Sequence, residues 1–264
     1  MKSNNFPIGI FDSGVGGTSI WKEIKTLLPK ENIIYLSDSK NAPYGEKTKE
    51  KIINLSIKNT EYLLQQNCKL IVVACNTATT NAIKILREKY SIPIIGIEPA
   101  IKPAALQTKT NIIGILATKG TLNSELFEKT STSINKQIIV KEIIGKGLVE
   151  LIEGGKLYSK EMTTLLTYYL KPMLIEKVDC LVLGCTHYPY LIPQIREIVG
   201  AKIQIIDSGE AVARQTKAVL EAHNLANKDI ISGSHQLFIN KDKSVLEMLI
   251  SNNSENLIIT EKDF

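Results

Sequence analysis

The sequence predicts an α/β protein: two similar three-layer domains with parallel sheets and an active site in the cleft between them. Three observations predict it. Short, uninterrupted apolar runs alternate with helix-length amphipathic stretches along almost the whole chain, as strands do when helices cover both faces of a parallel sheet. A length of 264 residues suits one large domain or two small ones. Two segments also recur at nearly the same offset. Phe6-Pro-Ile-Gly-Ile-Phe-Asp12 resembles Asn111-Ile-Ile-Gly-Ile-Leu-Ala117, and Lys69-Leu-Ile-Val-Val-Ala-Cys75-Asn-Thr77 resembles Asp179-Cys-Leu-Val-Leu-Gly-Cys185-Thr-His187. Such spacing is what two halves of one build would leave.

In chain order, the strand candidates are Ile8–Phe11, Ile33–Leu36, Leu70–Ala74, Ile94–Ile97, Ile112–Leu116, Ile138–Val140, Cys180–Leu183 and Ile203–Ile206. Each is a β-branched run short enough for a strand. The amphipathic stretches Thr48–Gln66, Thr79–Tyr90, Ser159–Glu176 and Gly209–Glu221 lie between or after them and read as helices. Pro93, Pro99 and Pro103 mark a crossing between halves near residue 98, and Asp207-Ser-Gly209 marks a return. The expected domains are therefore 1–97 plus 208–264, and 98–207. Open α/β sheets bind ligands at the carboxyl ends of their strands, so the two halves should face each other across a cleft.

Composition excludes several classes. Lys plus Arg number 32 against 27 Asp plus Glu, a formal charge of +5, and the lysines are scattered. That balance serves solubility and forms no nucleic-acid stripe. No apolar run approaches the roughly 18 residues of a membrane span. The polar Met1–Pro7 segment has no signal-peptide core. Four cysteines are too few for a secreted disulfide scaffold, so reduced thiols and a cytoplasmic location are expected.

Cys75 and Cys185 are the informative pair. Each ends an apolar run, follows a small residue (Ala74, Gly184) and precedes hydrogen-bonding residues. A thiol where a strand turns into a helix N-terminus meets backbone N–H groups and the positive dipole end, which should lower its pKa. Cys68 and Cys180 lie outside such turns and read as small buried hydrophobes. A zinc site on Cys180, Cys185 and His187 is not expected: the two cysteines should face opposite sides of a strand, and no further pair completes four ligands. Asp12-Ser13-Gly-Val-Gly-Gly17 follows the first strand and opens a helix, with Asp38 further on. A dinucleotide fingerprint would require glycine where Ser19 stands, and Asp12 would face an anionic pyrophosphate. A carboxylate at that strand tip better suits a base partner or a substrate ammonium. His187, two residues after Cys185, suits a proton partner for that thiol, whereas His223 and His235 read as surface residues. Pro43-Tyr44-Gly45 forms a turn on the same edge as Asp12 and Cys75. Thr118-Lys-Gly-Thr121 offers hydroxyls and N–H groups for a carboxylate, or a helix cap. Glu153, at a helix end, reads as a solvated face.

Gly9-Ile-Phe-Asp-Ser-Gly-Val-Gly-Gly17, Pro43-Tyr-Gly45, Ala74-Cys-Asn-Thr77 and Leu183-Gly-Cys-Thr-His-Tyr-Pro189 occur in the order and at the spacing of bacterial glutamate racemases, which this sequence resembles from residue 8 to about 210. Gly120-Thr121 and Asp207-Ser-Gly209 also fit. The resemblance implies cofactor-independent interconversion of L- and D-glutamate, supplying D-glutamate for peptidoglycan. It implies Cys75 and Cys185 as catalytic acid/bases, with Asp12, His187 and Glu153 assisting. Asp12, Ser13, Tyr44, Gly45, Asn76, Thr77, Thr186 and His187 correspond to substrate-binding positions, and the hydroxyls of Thr118 and Thr121 join them as candidates. No metal and no cofactor are implied, glutamate is the small-molecule partner, and a homodimer is the expected assembly. The sequence departs from the family at Thr18-Ser19, where many members carry an apolar residue, and has Gly96-Ile-Glu98-Pro at the crossing. No extension precedes the first motif, so regulation by a cell-wall precursor is not expected.

Three other readings stand beside this one. An aspartate racemase would share the two-thiol logic and differ in pocket depth. A non-catalytic, two-lobed amino-acid-binding protein would need the cleft but not the thiols. A cysteine hydrolase would use one thiol with a histidine and give no role to the other.

Overall fold

A computed structural model describes residues 4–135, 137–229, 231–250 and 256–264. It contains two parallel sheets. The first holds β1 (Ile8–Asp12), β2 (Ile33–Ser37), β3 (Leu70–Val73), β4 (Ile94–Gly96), and, from the end of the chain, β9 (His235–Ile239) and β10 (Leu257–Glu261). Their order is β10-β9-β2-β1-β3-β4. The second holds β5 (Ile112–Ala117), β6 (Ile139–Ile144), β7 (Cys180–Gly184) and β8 (Gln204–Ile206), in the order β6-β5-β7-β8.

The sequence repeat is a repeat of topology. The order β2-β1-β3-β4 in the first sheet has its counterpart, element for element, in β6-β5-β7-β8. Register agrees as well: Ile8 pairs with Leu70 across β1 and β3, and the corresponding Ile113 pairs with Cys180 across β5 and β7.

Alternate residues of each strand feed opposite layers, as the pleat requires. In the first sheet Ile8, Ile10, Ile33, Tyr35, Leu70 and Val72 share an apolar cluster with Trp21 and Ile24 of helix Thr18–Leu27 and with Val212 and Leu220 of helix Gly209–Ala222. Their neighbours Phe11, Ile34, Leu36, Ile71 and Val73 meet helices Lys49–Gln65 and Asn76–Lys89 through Ile52, Leu63, Ala82 and Leu86. The second sheet does the same. Leu116, Leu181 and Leu183 join Leu166 and Leu170 of helix Lys160–Ile175, while Ile113, Ile115 and Val182 join Ile101 of helix Ile101–Gln107 and Phe127 of helix Glu125–Thr132. No helix among the described residues is long and apolar enough to cross a membrane.

Two strands escaped sequence reading. β9 (His-Gln-Leu-Phe-Ile) and β10 (Leu-Ile-Ile-Thr-Glu) widen the first sheet beyond β2, both parallel. Their polar residues hide the apolar run that marks the other strands of this sheet. The same strand corrects the surface reading of His235. It opens β9 between β2 and β10, is buried, and its Nδ1 accepts the Trp21 Nε1–H at 3.3 Å. Burial, with Lys25 nearby, pushes its pKa down to about 4. His223 is exposed, as read.

At the amino-terminal edge of the first sheet, Lys69 Nζ donates to Glu31 Oε2 at 2.5 Å and to the Asn4 carbonyl, while Glu31 Oε1 accepts the Asn227 N–H at 2.7 Å. Both side chains are out of solvent, so the pair ties the start of β3 to the loop before β2 and to the loop that leads to β9. Removing one partner strands the other charge, which typically costs about 3–5 kcal/mol. Lys69→Met is expected to lower stability by about that amount, read from the urea unfolding midpoint. A loss under about 1 kcal/mol would show that the pair is dispensable.

Candidate active site

Because all strands are parallel, each sheet delivers its strand tips to one edge, and the two edges face each other. β1 ends on Asp12, and the chain turns through Ser13 and Gly14 into a 3₁₀ turn, Val15–Gly17, before helix Thr18–Leu27. Cys75 follows β3 and is the N-cap of helix Asn76–Lys89, its Sγ accepting the Ala78 N–H at 3.4 Å. From the second half, Thr118 follows β5 and Cys185 follows β7.

A nearly closed cavity of about 10 Å³ lies between the halves. Its walls include Ser13, Tyr44, Gly45, Cys75, Asn76 and Thr77 from one side, and Thr118, Val149, Cys185, Thr186 and His187 from the other. Both thiols therefore border one space, Cys75 at 4% and Cys185 at 7% exposure. That volume is room for about one water molecule, far below the roughly 300–1,000 Å³ of drug-sized ligand sites, so the cleft is closed and must open to admit a substrate. Its walls carry no lysine or arginine. The Asn76 Oδ1 is buried and has no hydrogen-bond partner among the described residues.

Three predicted residues stand just behind the wall. Asp12 is fully buried; its Oδ2 accepts the Gly17 N–H at 2.7 Å and the Thr186 hydroxyl at 3.3 Å, and its Oδ1 accepts the Ser13 hydroxyl at 3.3 Å. Cys75 Sγ in turn donates to Ser13 Oγ at 3.5 Å. Thr121 shares hydroxyl contacts with Thr77 at 3.2 Å and Thr118 at 3.0 Å, while Thr77 and Thr118 meet directly at 2.8 Å. Thr118 also caps helix Lys119–Leu122, so the capping role and the cavity-facing position coexist.

Glu153 corrects the solvated-face reading. It ends helix Leu148–Glu153 but turns inward, 8% exposed, because three donors await it. Oε1 accepts the Val15 N–H at 2.6 Å and lies 2.7 Å from His187 Nε2, and Oε2 accepts the Ser39 hydroxyl at 2.7 Å. A ring nitrogen that donates to a carboxylate cannot also accept, so the Gly16 N–H, 3.2 Å from the same Nε2, is a close contact. This fixes Nδ1 as the atom facing Cys185 Sγ, at 3.8 Å. A methyl at Gly14 would overlap the Glu153 carboxyl, and one at Gly16 the His187 ring. Glycine at both positions lets the second half reach the backbone of the first.

Electrostatics corrects a further expectation. Burial pushes the Cys75 thiol well above its ordinary pKa, and the Asp12 carboxylate adds to the rise; together they outweigh the Ser13 and Ala78 hydrogen bonds. Asp12 itself is raised by burial, against the pull of His187 and the Gly17 N–H. For His187, burial disfavours the cation, but its contacts with Cys185 and Glu153 prevail and hold the pKa well above the usual imidazole value.

Residues 8–216 match the Asp/Glu/hydantoin racemase family. The chain belongs to that family. The glutamate racemase of Ralstonia pickettii is 47% identical over 219 residues, 83% of this chain and 78% of that protein. Among solved structures, glutamate racemase isoform RacE1 from Bacillus anthracis superposes with a TM-score of 0.86 at 31% identity, covering 97% of each chain. The Escherichia coli glutamate racemase, solved with L-glutamate and the activator UDP-MurNAc-ala, gives 0.85 at 32% identity, again covering 97% of each.

As an Asp/Glu/hydantoin racemase family member, the chain departs at Thr18-Ser19, and the structure gives that departure a purpose. Thr18 Oγ1 contacts Tyr190 Oη at 2.6 Å, and Ser19 Oγ donates to the Thr186 carbonyl at 2.9 Å. Both bonds join the halves. Sequence reasoning missed Ser39 and the Val15 N–H as partners of Glu153, and Val149 as a wall of the cavity. Backbone donors carry no sequence signal. Asp38 drew notice only as a discarded ribose ligand, yet it is buried beneath Tyr44.

The raised Cys75 pKa makes a direct prediction. An ordinary thiol titrates near 8.5, so Cys75 should remain a thiol at neutral pH and react with iodoacetamide at least about tenfold more slowly than free cysteine. Its alkylation, followed by peptide mass mapping, should accelerate only above about pH 9. A rate that levels off below pH 8 would contradict this.

Proposed function

We propose that this chain is a glutamate racemase that interconverts L- and D-glutamate without a cofactor, Cys75 and Cys185 acting as acid and base on opposite faces of the substrate. The observation that carries the reading is that these two thiols border one small cavity from opposite halves. Racemisation removes the α-proton from one face and supplies one to the other, which a single rigid base cannot do. In the D-to-L direction the Cys75 thiolate takes the α-proton and becomes a thiol. The electron pair of the broken C–H bond stays on Cα, conjugated with the α-carboxylate. Cys185 then gives its S–H proton to the opposite face and is left as thiolate. The L-to-D direction reverses each step.

The α-proton is weakly acidic, so the surroundings must favour both the thiolate and the carbanion. A thiolate at Cys75 is disfavoured in the empty cavity; bound substrate ammonium supplies the missing positive charge, with Asn76 Oδ1 free to accept a hydrogen bond from it. Ser13 connects Cys75 to Asp12, a route for the thiol proton. His187, held by Glu153, presents Nδ1 to Cys185 and so supports either protonation state of that thiol. With no lysine or arginine on the walls, the substrate carboxylates are bound by neutral donors: the hydroxyls of Ser13, Thr77, Thr118 and Thr186 and nearby N–H groups, with Thr121 behind them and Tyr44-Gly45 closing the side. We place the domain boundaries at 1–97 plus 208–264 and 98–207. The enzyme works in the cytoplasm as a homodimer, supplying D-glutamate for peptidoglycan.

Circular dichroism with L-glutamate and L-aspartate tests the substrate; faster turnover of aspartate would reassign it and leave the two-thiol scheme intact. In deuterated water at early times, label should enter the product enantiomer and be nearly absent from recovered substrate. Substantial label in recovered substrate would instead indicate one swinging base. Cys185→Ser should reduce net racemisation in both directions by about 10²–10⁴-fold, while proton abstraction from L-glutamate falls far more than from D-glutamate. Equal losses would remove the directional assignment.

A further inference from the structure

We propose that Asn240 is a positioning residue for the racemase site, acting through Asp38 on Tyr44; the proposal rests on the racemase reading above. Asn240 follows β9, beyond the residues 8–216 that match the family. It is 4% exposed, and its backbone N–H reaches the Ser37 carbonyl at the tip of β2. The side-chain Nδ2 donates to Asp38 Oδ1 at 2.6 Å, and Oδ1 accepts the Lys40 N–H at 2.9 Å.

Asp38 is the centre of the relay. It is fully buried, and among the described residues it has no cationic partner. Its charge is met by neutral donors alone: Asn240 Nδ2, Asn41 Nδ2 at 2.8 Å and the Tyr44 hydroxyl at 2.5 Å. A buried carboxylate with three donors tolerates the loss of one badly, because the others must move to compensate. Tyr44 is the donor whose movement matters, since this residue lines the cavity with Cys75 and precedes Gly45 at the seam with Thr118. The Asp38 N–H also donates to the Asp12 carbonyl at 3.1 Å, so the relay and the β1 tip share one framework. The added strand β9 thus does more than widen the sheet: it brings an amide to the back of the substrate cavity.

Asn240→Ala is expected to raise KM for both glutamate enantiomers about tenfold and to lower kcat about threefold or less, since it disturbs a binding wall and neither thiol. A double-mutant cycle with Tyr44→Phe isolates the route. Added to the Tyr44→Phe variant, the same substitution should change kcat/KM by less than about twofold. An undiminished effect there would overturn action through Tyr44, and so would wild-type kinetics of Asn240→Ala. Asn240→Asp, assayed near pH 8.5, keeps an acceptor for Lys40 but sets a carboxylate against Asp38. It should lose at least as much as the alanine variant; wild-type kinetics would again overturn the proposal. It also serves if the alanine variant does not fold. Ring signals of ¹³C-labelled tyrosine, assigned with Tyr44→Phe, supply a readout that needs no turnover. The Tyr44 signal should shift in Asn240→Ala, and an unmoved signal would overturn the proposal. Wild-type protein that turns over no glutamate would defeat the racemase reading instead, leaving the tyrosine signal to decide the part played by Asn240.

Discussion

A buried carboxylate must be surrounded by donors, and Glu153 finds its donors on both sides of the cleft: Val15 N–H and Ser39 from the first half, His187 from its own. That one group sets the distance between the halves. Moving them apart would strip Glu153 of two of its three partners, at a cost characteristic of a charged group left unsatisfied in a low-dielectric interior. The glycines at 14 and 16 follow from the same constraint, because any side chain there would hold the halves apart. So does the orientation of the His187 ring, and with it the nitrogen presented to Cys185.

Closure explains the state of Cys75. With the halves together, the cavity shrinks to the scale of about one water molecule. Burial raises the Cys75 pKa, so the resting form of that residue is the thiol. The helix N-terminus at Asn76 contributes an N–H to the sulfur, but a dipole cannot offset complete desolvation with a carboxylate alongside. In the proposed mechanism this is an advantage. The base is released by the substrate's own positive charge, and in the empty cavity Cys75 is not left as a thiolate to be oxidised.

The parts that were legible in the sequence share a local cause. Parallel strands buried on both faces show as apolar runs, so eight strands could be placed from β-branched content alone, with ends displaced by a residue or a few. β6 is the largest difference, running to Ile144 where the apolar pattern broke at Lys141-Glu142. β9 and β10 were missed for the same reason, since edge and near-edge strands tolerate polar residues. His235 was misplaced with β9, because nothing local reveals that Trp21 lies above it. Glu153 was misjudged because a glutamate at a helix end is ordinarily solvated.

The sequence alone determined the fold class, the internal repeat and the residues at the strand tips. Apolar periodicity, turn-forming glycines and the two Cys-centred motifs are short-range signals, legible within a dozen residues. What the tertiary structure decided is which of these groups meet. Cys75 and Cys185 stand 110 positions apart, Val15 and Glu153 are separated by 138, and Asp38 and Asn240 by 202. Their protonation and hydrogen bonding depend on desolvation, which is a property of the closed cleft and has no counterpart in a stretch of chain.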